Sequence, residues 1–251
     1  MSIHGIFEIE LGTTKVFYID GATEKVLVDT GMKPLPTEVI DYFVKTGINF
    51  SKEQLEFLRK GSRSAIVKFL RKNNYKVDSI ICTHCHGDHI GNLAVLKNEL
   101  NVKVAAHKND IAIIEGRESL PKPEFVPEHL YQYFNVEPCK VDIALEDRQQ
   151  FNEEIEIIHI EGHTRGNICL LVKGIALIAG DTMSGKGALG SNSHKELNSP
   201  GKQACMDWDM AVKNIGKLLN YQFDSVLPSH GMSVKRDGKK IVQKLVEELK
   251  I

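Results

Sequence analysis

The chain has 251 residues, 33 acidic against 32 basic side chains and a formal net charge of −1, so no global field would gather nucleic acid or an anionic membrane. No apolar run approaches the ~20 residues needed to span a bilayer, and the N-terminal Met1-Ser2-Ile3-His4-Gly5-Ile6-Phe7 lacks the basic start and apolar core of a secretion signal. The cysteines, at 82, 85, 139, 169 and 205, are odd in number and not spaced as a disulfide framework, which points to a reducing, cytoplasmic setting.

In chain order, the first thirty residues read as strands and turns. Ile6–Ile9 and Lys15–Ile19 are separated by Gly12-Thr13, and Asp20-Gly21 leads into Lys25–Val28, which ends at Asp29-Thr30-Gly31. Residues 32–75 read as helical. Thr37–Phe43 has a helical pattern, Ser51-Lys52-Glu53-Gln54 is a capping box, and Ile66, Phe69 and Leu70 form one apolar face that stops at Asn73-Asn74. Ser79–Thr83 is a buried strand running into His84-Cys85-His86-Gly87-Asp88-His89. Ile90-Gly91-Asn92 is expected to open a helix through Leu100, and Val102–Ala106 to return as a strand to His107, a packed or capping residue. Residues 117–139, with Pro121, Pro123 and Pro127 among Phe125, Tyr131, Tyr133 and Phe134, suit an ordered loop.

The second half reads similarly. A strand over 155–160 runs into Gly162-His163-Thr164, strands over 168–172 and 175–179 end at Gly180-Asp181, and a Gly/Ser-rich stretch covers 184–201. A helix spans 210–219, a strand at 224–227 ends at Pro228-Ser229-His230-Gly231, and an amphipathic helix spans 238–250. With no linker and no short repeat, one domain over residues 1–251 is expected.

Imidazole and carboxylate donors suit zinc, iron or manganese without thiolates. On extended backbone His84 and His86 point to the same side and can share one metal. Asp88 and His89, beyond Gly87, can serve a second. Cys82 and Cys85 form a C-x-x-C with no second pair, so Cys82 reads as a strand residue and Cys85 as a bystander. Asp29, His163, Asp181 and His230 add metal-competent side chains at four further strand ends.

This ordered pattern resembles the metallo-β-lactamase superfamily, as do the phrases Leu27-Val28-Asp29-Thr30-Gly31, Gly162-His163-Thr164-Arg165-Gly166 and Ala179-Gly180-Asp181. The resemblance implies an α/β fold, an αββα sandwich with metals at one edge between the sheets. It implies His84, His86 and His163 on a first metal and Asp88, His89 and His230 on a second. Asp181 would bridge the two, and Asp29 would support the loop from behind. Asp88 and Asp181 are the implied catalytic carboxylates, and the implied cofactors are two divalent ions, zinc first, with iron or manganese as alternatives. The activity implied is hydrolysis of an ester, thioester or lactone of a small-molecule substrate by a metal-bridging hydroxide. The segment between Asp29 and His84 is similar to acyl-homoserine lactonases, although Ser184 stands where those enzymes carry a tyrosine, and glyoxalase II relatives share the metal motif. An iron-dependent persulfide dioxygenase and a non-catalytic metal-stabilised scaffold are the alternatives. Ser184, His194, Trp208 and the aromatics Tyr131, Tyr133 and Phe134 are candidate substrate contacts.

Overall fold

The computed structural model describes residues 2–123, 126–189, 191 and 193–251; Phe125 of the aromatic loop, and Gly190 and Asn192 of the Gly/Ser-rich stretch, lie outside the described residues. Strands β1 (Ser2–Ile3), β2 (Ile6–Glu10), β3 (Lys15–Asp20) and β4 (Lys25–Val28) form an antiparallel meander. Helices α1 (Thr37–Lys45), α2 (Lys52–Lys60) and α3 (Arg63–Lys72) follow. The α2 capping box forms in full. The Gln54 N–H donates to Ser51 Oγ at 3.1 Å, and the Ser51 N–H donates to Gln54 Oε1 at 2.8 Å.

The chain re-enters the sheet as β5 (Ser79–Cys82), parallel to β4, and turns through the short helix α4 (Gly87–Ile90) before α5 (Leu93–Leu100). The expected helix opening at Ile90 is therefore split in two. The break is pinned from outside, because the Asn92 side-chain amide donates to the Thr30 and Met32 carbonyls at 2.8 and 3.0 Å. A Cβ on Gly91 would lie 2.5 Å from the Lys33 nitrogen. Then come β6 (Lys103–His107), α6 (Ile111–Ile114), α7 (Glu128–Tyr131) and β7 (Ile143–Leu145). The proline-rich loop thus contains one helical turn, extended by a 3-10 turn at Gln132–Phe134.

A second sheet is built from β8 (Gln150–Asn152), β9 (Ile155–His159), β10 (Ile168–Val172) and β11 (Ala176–Gly180). In the Gly/Ser-rich stretch β12 (Ser184–Gly185) pairs with β13 (Leu197–Asn198), order that the composition alone did not signal. Helix α8 (Trp208–Ile215), β14 (Ser225–Pro228) and α9 (Gly238–Leu249) follow. Among the described residues the first sheet runs β1-β2-β3-β4-β5-β6-β7 and the second β14-β11-β10-β9-β8.

Period-two alternation divides each sheet between two cores. From β3, Phe17 and Ile19 face the second sheet and pack with Val28, Ile157, Leu170 and Ile178, whereas Val16 and Tyr18 face Ile66 and Leu70 of α3 and Leu93 and Leu96 of α5. On the far side of the second sheet, Cys169, Leu171 and Leu177 pack on Ile215 of α8 and on Val242 and Leu245 of α9. The layers are helix, sheet, sheet, helix, the expected αββα sandwich. Strands β4, β5 and β6 are mutually parallel, and β9, β11 and β14 share one direction within their sheet. Every expected metal-competent residue therefore follows the C-terminal end of a strand, where loops are free to carry chemistry.

Candidate metal centre

The loops after β5, β9, β11 and β14 bring seven side chains together in two sets: His84, His86 and His163, and Asp88, His89, Asp181 and His230. Within each set the candidate donor atoms lie within 4.8 Å of one another. In the first, His84 Nε2 is 3.1 Å from His86 Nδ1. In the second, His89 Nε2 is 3.3 Å from Asp181 Oδ1, and His230 Nε2 is 3.3 Å from both Asp88 Oδ2 and Asp181 Oδ2. Asp181 also reaches the first set, its Oδ2 being 3.4 Å from His163 Nε2.

The contacts to Asp88 and Asp181 are longer than good hydrogen bonds. Ligands held at ~2.0–2.2 Å around a tetrahedral ion stand roughly 3.3–3.6 Å apart, and the contacts to Asp88 and Asp181, at 3.3 and 3.4 Å, have that spacing. The same atoms are short of other partners. His89 Nε2, His163 Nε2 and Asp181 Oδ1 are buried without a hydrogen bond, a costly arrangement for polar atoms in a protein interior. Five imidazoles and two carboxylates converging in this way fit two divalent ions.

The neighbours fix which ring nitrogen faces inward. Asp29, fully buried at the end of β4, accepts from the Thr83 N–H at 2.7 Å, from the Thr83 hydroxyl at 2.8 Å and from His89 Nδ1 at 2.8 Å. Thr83 Oγ1, its proton committed to Asp29, accepts from His84 Nδ1 at 3.0 Å. His230 Nδ1 donates to the Thr13 carbonyl at 2.7 Å. In His84, His89 and His230 the Nδ1 proton is therefore held from outside, so that Nε2 is the nitrogen each neutral ring would offer a metal. Asp29 does this from a left-handed backbone, φ 64°, which Asp tolerates better than most residues.

The organising role of Asp110 was missed from sequence. Asp110, just before α6, is buried and accepts from the Cys85 N–H at 3.1 Å, the Thr164 hydroxyl at 2.7 Å and the Gly166 N–H at 2.7 Å. It ties the His84–His86 loop to the His163 loop, and the bystander Cys85 contributes through its backbone. Burial pushes the Asp110 carboxyl pKa up, and the donors only partly offset this. Thr13, Thr83 and Cys205, whose Sγ is 3.5 Å from His163 Nδ1, were also missed; nothing in their local sequence marks them. His107 is buried and stacks on His159 at 3.8 Å between ring centroids, away from both donor sets and in keeping with a packed residue.

The two sets differ electrostatically. Burial, reinforced by neighbouring imidazoles, holds the His84 pKa well below the ordinary value and that of His86 at about 3, so both rings are neutral donors. In the other set burial opposes charge on His89 and His230, but Asp181 and Asp88 outweigh it. His89 is held well above the ordinary value and His230 at about 10. Burial would raise Asp88 and Asp181, yet His89 and His230 draw both carboxyls below the usual range.

A cavity of about 700 Å³ opens onto this cluster and is lined by His86, Asp88, His163, Asp181 and His230. Ser184, Trp208, Tyr131, Tyr133 and Phe134 line it as well, whereas His194 is not among its lining residues.

The family model of the metallo-β-lactamase superfamily matches residues 9–187, and the chain belongs to that superfamily. It is 28% identical over 122 residues to a hydroxyacylglutathione hydrolase of Pelagibacter ubique, a match spanning 47% of this chain and 41% of the relative. A β-lactamase-like protein 2 homolog of Drosophila melanogaster is 22% identical over 233 residues, 91% of this chain and 62% of its own. These matches thus span about two fifths to three fifths of the relatives' lengths. The archaeal metallo-β-lactamase superfamily protein ST1585 of Sulfolobus tokodaii superposes with a TM-score of 0.61 at 18% identity, covering 98% of this chain and 86% of that one. The superfamily is one of metallo-hydrolases, and this chain carries residues for a binuclear site.

Proposed function

We propose that the chain hydrolyses an ester, thioester or lactone of a small molecule, with two divalent ions, zinc first, as cofactors. The observation that carries this reading is the sharing of Asp181 between two convergent donor sets at the base of a cavity. His84, His86 and His163 would hold one ion, Asp88, His89 and His230 the other, with Asp181 between them. Bound there, the ions would supply a water of lowered pKa and an electrophile for the substrate carbonyl. Asp88, whose side chain is one-quarter exposed and lines the cavity, would take the proton of the attacking water and return it to the leaving group. Asp29 would hold the His89 ring in place and Asp110 the two ligand loops. The thioester option has support from the hydroxyacylglutathione hydrolases among the relatives. A cytoplasmic location is part of this proposal; among the described residues no helix is long and apolar enough to cross a membrane.

The test is turnover of ester, thioester and lactone panels by the metal-loaded protein and by Asp181→Ala and His86→Ala. Both substitutions should lower kcat/KM by at least ~10³-fold, the scale set when an essential electrostatic group is lost, with circular dichroism unchanged. Turnover retained by both variants sinks the mechanism.

A further inference from the structure

Helices α1 and α2 and the loop around α7 make an apolar cluster separate from the sandwich cores. Leu35, Val39, Ile40, Leu58, Val126 and Leu130 form its buried centre. The side turned to the cavity is aromatic and only half covered. Phe43, Phe50, Tyr133 and Phe134 line the same cavity as Asp88 and Asp181. Phe43 and Phe134 meet edge to face at 6.0 Å, locking the helical segment to the loop. The wall abuts the ligand loop itself, since a Cβ on Gly87 would lie 3.0 Å from the Phe134 carbonyl oxygen. Large apolar side chains left half exposed in a concavity, rather than packed away, mark a surface kept for an apolar ligand.

Charge points the same way. Apart from the histidines and the two metal-site carboxylates, the charged side chains among the described lining residues are Lys33 and Lys202. The Lys33 ammonium donates to the Asn135 carbonyl, and that of Lys202 sits 5.3 Å over the Trp208 ring. Among the described residues, a substrate portion bearing several carboxylates would meet these two ammonium groups alone, both already engaged.

We propose that this wall is an acyl chamber and that the substrate carries an uncharged, extended aliphatic acyl chain, not a short polar one. The inference deepens the hydrolase reading and, for its catalytic part, rests on it. Each methylene entering the chamber should tighten binding about fourfold, the equivalent of ~0.8 kcal/mol per buried CH₂.

Two measurements on the full chain separate the two ideas. The first needs no chemistry. Trp208 is the single tryptophan and lines the cavity, so its fluorescence reports binding of straight-chain alcohols from butanol to decanol. The second follows kcat/KM of the zinc-loaded protein on acetyl to decanoyl esters and thioesters. Both series should rise about fourfold per methylene until the chamber fills. Phe43→Ser should cut the decanoyl-to-acetyl ratio at least tenfold, with Phe50→Ser as the second variant should the first not fold. Alcohol affinity that rises with length while no ester, thioester or lactone is turned over keeps the chamber and removes the hydrolase reading. Short esters cleaved with a flat length profile, together with flat alcohol affinity, overturn the chamber and keep the hydrolase.

Discussion

Asp29 offers the sharpest perturbation of the metal centre. It does not line the cavity, yet one carboxylate holds the Thr83 N–H, the Thr83 hydroxyl and the His89 ring, all buried. In Asp29→Asn the amide tolerates the left-handed backbone, but it supplies one acceptor where two oxygens stood. With the NH₂ at the Oδ2 position it faces His89 Nδ1, which must then accept. The ring proton moves to Nε2, the atom aimed at Asp88 and Asp181, and that atom can no longer ligate. With the amide flipped, the NH₂ opposes the Thr83 N–H instead, and a buried donor is stranded at about 1–3 kcal/mol. Loss of an outer partner of a ligating His costs typically ~10–100-fold in metal affinity. Asp29→Asn should therefore weaken the ion at the set containing His89 by that factor and lower stability by about 1–2 kcal/mol. Asp29→Ala strands both fixed donors and adds strain at φ 64°, for about 4 kcal/mol in all. Competition against a chelator, with calorimetry to separate the two sites, measures the first effect, and urea unfolding of the metal-free proteins the second. Two ions bound by Asp29→Asn with wild-type affinities would refute the reasoning.

Metal uptake should release protons unequally. At pH 7 the raised pKa values of His89 and His230 keep both rings protonated in chelator-stripped protein, whereas His84 and His86 are already neutral. Loading the set with His89 and His230 should therefore release roughly two protons, and its affinity should climb as pH rises toward about 10, where His230 gives up its proton unaided, while His84 and His86 release none. Calorimetry in buffers of different ionisation enthalpy reads this directly, and equal release at both sites would contradict it. Asp110→Ala strands the Cys85 and Gly166 N–H groups and the Thr164 hydroxyl and should destabilise the fold by about 3–4 kcal/mol, read by urea unfolding. A loss under 1 kcal/mol would mean that Asp110 does not join the two loops.

Much of this was legible because the signals were local. The alternation in Lys15–Asp20, the Ser51 capping box and the dense histidine run each carry their structure within a few residues. The candidate metal-competent residues could be read because they follow the ends of apolar strands, singly at Asp29, His163, Asp181 and His230 and as a run after β5. Asp110 could not, since its partners lie 25, 54 and 56 residues away and its own neighbourhood reads as an ordinary turn. Thr13 was hidden for a related reason, as it acts on His230 through its carbonyl, a group every residue possesses. The pairing of Ser184–Gly185 with Leu197–Asn198 was missed because such short strands take their order from tertiary contacts, here with the His230 carbonyl accepting from the Gly185 N–H.

The most direct test of the central claim is the metal content of protein purified without added metal, measured by elemental analysis beside an Asp181→Ala control. The account predicts close to two divalent ions per chain, zinc foremost, and a clear loss in the control, which lacks the carboxylate in contact with both donor sets. No tightly bound metal in the native chain, even after exposure to zinc and desalting, would contradict it, because seven donor side chains, buried or half-buried, would then be converging on nothing.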